Sequence, residues 1–153
     1  MSSYYFDSSA LVKNYVQETG TGWVQTLISP SSGNEVLTAL ITGAEIVAAL
    51  TRRVRTGQTP QVDATLAINA FQYDFQTRFK PIVISPTIVM EAMILAERHG
   101  LRGYDSVQLA CAVTLNAGFI SGSILPLIFI SADTTLNRTA KAEGLIVDNP
   151  NNH

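Results

Sequence analysis

The sequence predicts an α/β fold with a central parallel sheet flanked by helices. Two observations carry that prediction: short β-prone apolar runs alternate with segments of helical periodicity, and each run gives way to a turn or helix-start signal. A third places chemistry on the frame. Acidic residues stand at these junctions, at Asp7, Glu45, Asp105 and Asp133, and in a parallel sheet the carboxyl ends of the strands converge on one crevice. The chain has 153 residues, 46% hydrophobic and 14% charged, which is one domain's worth of chain with apolar surface enough for a substantial core. We take residues 1–148 as that single domain and residues 149–153 as a flexible tail.

In chain order, Tyr4-Tyr5-Phe6 is short, aromatic and β-prone, and Asp7-Ser8-Ser9 suits the start of a helix through Ala10-Leu11-Val12-Lys13. Val36 to Ile41 reads as the second strand. Thr42-Gly43-Ala44-Glu45 then opens a helix to Gly57, with Thr42 and Glu45 at capping-box spacing. A further helix covers Gln61 to Phe79, with Leu66, Ile68, Phe71 and Phe75 on or near its apolar face and Pro60 and Pro81 as punctuation. Pro81 to Ser85 is a third short strand, and Ser85-Pro86 supplies the cap and first position of a helix that ends at Gly100. Asp105 starts a helix through Leu115. Leu127 to Ile130 is a strand leading to Asp133 and a helix from Thr134 to Glu143, which Gly144 ends before a last strand at Leu145-Ile146-Val147.

The formal net charge of -2 neither draws the chain to nucleic acid nor excludes it, so any such contact comes from a local patch. A single cysteine, Cys111, excludes an internal disulfide and a thiolate zinc cage, and its apolar surroundings read as a buried helix. The N-terminus shows neither the basic region nor the long apolar stretch of a secretory signal. The most apolar later segment, Ala117 to Ile130, is broken by Gly118, Gly122 and Pro126 and falls short of the ~20 residues of a membrane span. The expectation is a cytoplasmic protein without a membrane partner.

Each acidic residue has a purely structural reading. Asp7, Asp105 and Asp133 suit N-caps, and Glu45 suits the far half of the Thr42 capping box. Caps alone do not explain why three of them follow separate strands while Asp105 opens a helix directly. Four like charges brought together raise one another's pKa and require a counter-charge. Carboxylates are hard oxygen ligands suited to Mg²⁺ or Mn²⁺, and the scarcity of histidine (His99 and His153) argues against zinc. Such a site suits phosphodiester hydrolysis, in which a metal activates water and steadies the leaving oxygen.

The stretches Tyr5 to Lys13, Ala44-Glu45-Ile46, Leu101 to Ala110 and Ile130 to Asn137 resemble, in order and across nearly the whole chain, the signature blocks of PIN-domain proteins. The nearest resemblance is to VapC-type toxins of bacterial toxin-antitoxin pairs. It implies a PIN-like three-layer α/β/α fold with an acidic metal pocket at one edge of the sheet. It also implies a Mg²⁺- or Mn²⁺-dependent endoribonuclease, with RNA as substrate, a small antitoxin protein as partner, and a homodimer. Residue by residue, Asp7 matches the family's first strand-end aspartate, Glu45 its helix-start glutamate, Asp105 the aspartate after a tyrosine, and Asp133 the last acidic position. These four are the catalytic and metal-ligating candidates, Asp7 and Asp105 foremost. The segment Ala117 to Pro126 is longer than in compact members and bears on the pocket rim at Asp133. Glu45 binds metal directly, binds through water, or orients the nucleophile.

Other residues carry two readings each. Ser9 resembles the small hydroxyl residue that bonds a carboxylate or phosphate behind the metal, and it equally suits a helix start. Ser131 and Asn137 read as cap or surface residues. Arg52, Arg53 and Arg55 are the densest basic run, either a solvated helix end or an RNA contact. The apolar stretches Gly22 to Ile28 and Val62 to Phe75 suit a dimer surface or the core. Two other functions compete: a non-catalytic PIN-like module that binds RNA or protein, and a receiver-like domain. The filled acidic positions count against the first. The second needs an acidic pair at the first strand and a lysine after the last, and Asp7 stands alone while Leu127 to Asp133 contains no lysine.

Overall fold

Successive side chains on a strand point to opposite faces of its sheet, and here both faces are apolar. In the computed structural model, which describes residues 1–153, the strands are β1 (Ser3–Phe6), β2 (Glu35–Ala39), β3 (Lys80–Ile82), β4 (Ile128–Ile130) and β5 (Ile146–Asp148). The helices are α1 (Ser8–Leu11), α2 (Thr21–Ile28), α3 (Thr42–Arg55), α4 (Gln61–Thr77), α5 (Pro86–His99), α6 (Gly103–Ser121) and α7 (Thr134–Ala142). All strand pairings are parallel, in the order β3-β2-β1-β4-β5, with Tyr5 level with Leu37 on one side and Phe129 on the other. Tyr5, Leu37 and Phe129 face one core, which Leu95, Leu109 and Leu136 fill from α5, α6 and α7. Phe6, Val36 and Ile130 face the other, against Leu11, Val24, Ile46, Leu50 and Phe71 from α1 to α4. Each such side chain contributes about 1.5–3 kcal/mol by burial before entropy is counted. The result is the three-layer α/β/α fold that the sequence predicts.

From β1 the chain builds outward through β2 and β3, then returns to the other side of β1 as β4 and β5. The strand order therefore reverses between β1 and β4, and the loops after these strands part to leave a crevice. Asp7 closes β1 and the Ser131-Ala132-Asp133 turn follows β4.

Several local expectations change. The Thr42–Glu45 capping box does not form: Ile41 precedes α3 with helical dihedrals and no side chain caps it. Thr42 is instead buried, its hydroxyl 2.8 Å from Thr38 Oγ1 and accepting from Gln108 Nε2. α6 begins at Gly103, so Asp105 lies inside its first turn rather than at the cap, which is Arg102. The same helix runs on to Ser121, taking up half of the segment Ala117 to Pro126. In the stretch from Gly22 to Ile28, α2 buries Val24 and Ile28 in the second core with Trp23 and Leu27 packed partly against it, while Gly22, Gln25 and Thr26 stay exposed. In the tail, Pro150–Asn152 forms a 3-10 turn, and the His153 ring stacks on Trp23 with centroids 4.0 Å apart. No helix is long and apolar enough to cross a membrane.

Candidate active site

Asp7 ends β1 with extended dihedrals, and its Oδ1 accepts from Ala10 N at 3.0 Å, so it does cap α1. It does more than cap. Ser9 Oγ donates to the same oxygen at 2.7 Å and accepts from Ala132 N at 3.0 Å, while Ser131 Oγ donates to Oδ2 at 2.8 Å and accepts from Asp133 N at 3.1 Å. The two serines thus tie the loop after β1 to the loop after β4 across the switch point, and both hold the aspartate in one orientation. Asp133 caps α7 through Oδ1, which accepts from Leu136 N at 3.0 Å.

Glu45 projects from the first turn of α3. Its Oε2 accepts from Ser8 Oγ at 3.1 Å and its Oε1 from Gln108 Nε2 at 2.7 Å. Gln108 is itself fixed: Tyr5 Oη donates to its Oε1 at 2.9 Å, leaving both amide protons for Thr42 and Glu45. Asp105 lies three residues before Gln108, near the start of the same helix, so one helix brings the aspartate and the support of Glu45 to the crevice.

Electrostatics connects these groups. Burial pushes the Asp7 carboxyl up to about 7, against the bonds from Ser9, Ser131 and Ala10, and the Glu45 charge adds to the rise. Burial likewise raises Glu45; the bonds from Gln108 and Ser8 oppose it and the Asp105 charge adds to it. Glu45 is therefore an electrostatic neighbour of both Asp7 and Asp105, and neither Asp7 nor Glu45 has a basic partner among the ion pairs of the chain. Asp105 has one, Arg102 at 3.4 Å, whose side chain is 86% exposed and offsets little.

No three His, Cys, Asp or Glu side chains lie close enough to share a single ion. The donor chemistry still fits a hard divalent cation, because the ligating groups on offer are carboxylate and hydroxyl oxygens and neither Asp7 nor Glu45 has an ion-pair partner. Mg²⁺ keeps several waters and accepts few protein ligands, so a two-carboxylate grip satisfies it.

The three arginines of α3 do not act as one group. Arg53 donates to Glu18 Oε1 at 2.9 Å and to Thr59 Oγ1 at 3.2 Å, on the side away from the crevice. Arg55 is exposed at the helix end, whereas Arg52 lines the same cavity as Ser8, Ser9 and Glu45. Lys13 is committed to Glu18 and the Thr19 carbonyl, and His99 lies 2.6 Å from Glu143. Sequence reasoning missed Gln108 and misassigned Ser131, which is fully buried rather than a surface residue. One signal for Gln108 was present: it is the polar interruption of the run from Val107 to Val113, one turn after Asp105.

The family model for the PIN domain matches residues 4–142. Ribonuclease VapC45 of Mycobacterium tuberculosis (strain CDC 1551 / Oshkosh) and Ribonuclease VapC49 of Mycobacterium tuberculosis (strain ATCC 25618 / H37Rv) are each 30% identical to this chain over 115 residues, 75% of its length and 78% of theirs. Among solved structures, VapBC2 from Rickettsia felis bound to a DNA fragment from their promoter is similar with a TM-score of 0.62 at 14% identity, over 96% of this chain and 98% of that one. PAE2754 from Pyrobaculum aerophilum is similar with a TM-score of 0.60 at 20% identity, over 95% and 90% of the two chains. With a family match from β1 to the end of α7 and relatives of the VapC type, the chain belongs to the PIN-domain family, on its VapC-type branch.

Proposed function

We propose that the protein is a metal-dependent endoribonuclease that hydrolyses RNA phosphodiester bonds in the cytoplasm, the toxin of a toxin-antitoxin pair. The observation that carries this reading is the run of mutually repelling carboxylates, Asp7, Glu45 and Asp105, beside a crevice with no basic side chain paired to the first two. VapC-named ribonucleases among its relatives support it. Asp7 and Asp105 foremost, with Glu45 and Asp133 as the further candidates, are the residues that would hold Mg²⁺ or Mn²⁺. When bound, such an ion offsets their charge and polarises the phosphate to be cut.

The chain's own residues do the rest. Ser9 and Ser131 fix Asp7, and Gln108 fixes Glu45 so that its carboxylate faces the crevice beside Ser8. Glu45 then accepts a proton from water as the water oxygen bonds to phosphorus. The phosphorus bond to the departing nucleotide breaks, and that oxygen leaves protonated from solvent. A small antitoxin protein covering the acidic edge is the partner this reading requires, and a second copy of the chain completes a homodimer.

The test is RNA cleavage by wild type and Asp105→Asn from identical preparations, with Mg²⁺ or Mn²⁺ and with chelator. Asp105 makes no structural bond beyond the exposed Arg102 pair, so the variant keeps its fold. Metal-dependent cuts reduced by about 100-fold or more in the variant are the expected outcome; equal cutting by both would assign the activity elsewhere. One observation favours a second reading: with no three acidic groups placed to share an ion, a non-catalytic PIN-like RNA- or protein-binding module predicts RNA binding without metal-dependent cleavage.

A further inference from the structure

Beside the acidic centre lies a cavity of about 560 Å³, within the roughly 300–1,000 Å³ range of small-ligand sites. Val12, Ile41, Ala48 and Ala49 give it an apolar lining, and Glu45 lines it as well. Two further features set it apart from an ordinary surface hollow. Tyr104, the residue before Asp105, lines it with 63% of its surface exposed, so the fold draws little from that ring. Arg52 also lines it, and the ion-paired arginines of the chain are others: Arg53, Arg78, Arg98 and Arg102.

The spacing on α3 orders these parts. Ala44, Ala48 and Arg52 recur every fourth residue on one face, and the small side chains leave the helix wall low between the acidic end and the arginine. Glu45 and Arg52 are seven residues apart, about 10 Å along the axis at 1.5 Å per residue, so the guanidinium does not neutralise the carboxylate. The cavity therefore offers an aromatic face, an apolar lining and a cation outside the ion pairs, with the Glu45 carboxylate at the opposite end. A nucleotide matches that order: its base stacks on an aromatic ring and its flanking phosphate takes a cation.

We propose that this cavity is a nucleotide subsite in which Tyr104 stacks an unpaired base of the RNA and Arg52 binds the adjoining backbone phosphate. The inference rests on RNA being the substrate, and it assigns specificity for single-stranded RNA to these two residues. Stacking on tyrosine tolerates any base, so the subsite selects unpaired strand over duplex rather than one sequence.

The test measures binding in chelator, where nothing is cut, with a single-stranded RNA carrying 2-aminopurine, whose fluorescence falls on stacking. Tyr104→Ala is expected to weaken binding about tenfold or more and to abolish the quenching, while Tyr104→Phe keeps both. Arg52→Ala should lower the slope of log affinity against log salt by about 0.7, the share of one phosphate on a single strand. Ala48→Leu, which fills the cavity from an exposed position, should act like Tyr104→Ala. Quenching that persists in Tyr104→Ala at wild-type affinity overturns the subsite. So does unchanged RNA binding with a shift of oligomeric state in Ala48→Leu, which would make the cavity a protein contact. Tyr104-dependent quenching without metal-dependent cleavage by wild type leaves the subsite standing and removes the hydrolysis. Cleavage with Tyr104-independent binding does the reverse, and no RNA binding by wild type in chelator overturns the subsite, with the hydrolysis then decided by the metal-dependent cleavage assay alone.

Discussion

Asp7 sits at the point where fold and chemistry pull in opposite directions. As a cap and a partner of two serines it is fixed, yet burial raises its pKa to about 7. The folded state therefore holds the Asp7 proton more tightly than the unfolded chain, whose carboxyl titrates near 3.8. Stability from this group is fully present below that lower value and is lost as pH rises towards 7, because ionisation is easier in the unfolded chain. Above pH 7 the loss is constant, at most about 4 kcal/mol at about 1.4 kcal/mol per unit. Asp7→Asn keeps the shape and the cap, so in chelator it should be more stable than wild type by about 1–4 kcal/mol at pH 8 and nearly equal at pH 4. Denaturant titrations at the two pH values decide it; equal midpoints at pH 8 would mean that the carboxylate is not held at a cost. Mn²⁺ should shrink the gap at pH 8 by stabilising wild type alone.

At the scale of elements, the parallel sheet and the helices that flank it were legible because strand runs and helix starts obey local rules, whereas the strand order was not. Asp7, Glu45 and Asp105 were legible as junction residues for the same reason. What stayed hidden depends on contacts distant in sequence. Ser131 meets Asp7 across 124 positions and Gln108 meets Glu45 across 63, and no local pattern reports such bonds. The Thr42–Glu45 box satisfied its spacing rule, yet Thr38 and Gln108 claimed the hydroxyl. The tail is a third case, since its Asn-rich composition reads as frayed while its docking is set by α2. Gly20 precedes α2 with φ of +84°, and a Cβ there would meet the Pro150 carbonyl oxygen at 2.1 Å. Gly20→Ala should therefore cost about 2 kcal/mol or more, part from the left-handed backbone and part from expelling the tail. The same substitution in a chain ending at residue 148 should cost only the backbone share, about 1 kcal/mol. Thermal melts of the four proteins measure the difference, and equal losses in both backgrounds would show that the tail does not dock on α2.

At the scale of the whole molecule, one surface is too apolar for its exposure. α5 buries Ile88, Ala92 and Leu95, and yet Val89, Met90, Met93 and Ile94 on its other sides are 43%, 63%, 64% and 48% exposed. Glu91, Glu97 and Arg98 are the charged residues of this helix, so four large apolar side chains lie outside its buried stripe, where a surface helix ordinarily carries polar ones. The short connection from α5 to α6 makes the pair antiparallel, which carries the end of α6 towards the start of α5 and adds the exposed Ile120 and Ile124 to that end. A second copy related by a two-fold axis would cover both ends at once, because each α5 meets the other's. Of the two stretches that the sequence offered for self-association, Val62 to Phe75 keeps Val62, Leu66 and Tyr73 exposed on α4, so α4 is the alternative surface. Light scattering after gel filtration separates them. Wild type should elute as a dimer, Met93→Glu as a monomer, and Leu66→Glu as a dimer. Because Met93 is exposed, the charge should change the stability of the single chain by no more than about 0.5 kcal/mol, so a lost dimer would not reflect a lost fold. A monomeric wild type would sink the homodimer, and dissociation by Leu66→Glu alone would move the interface to α4.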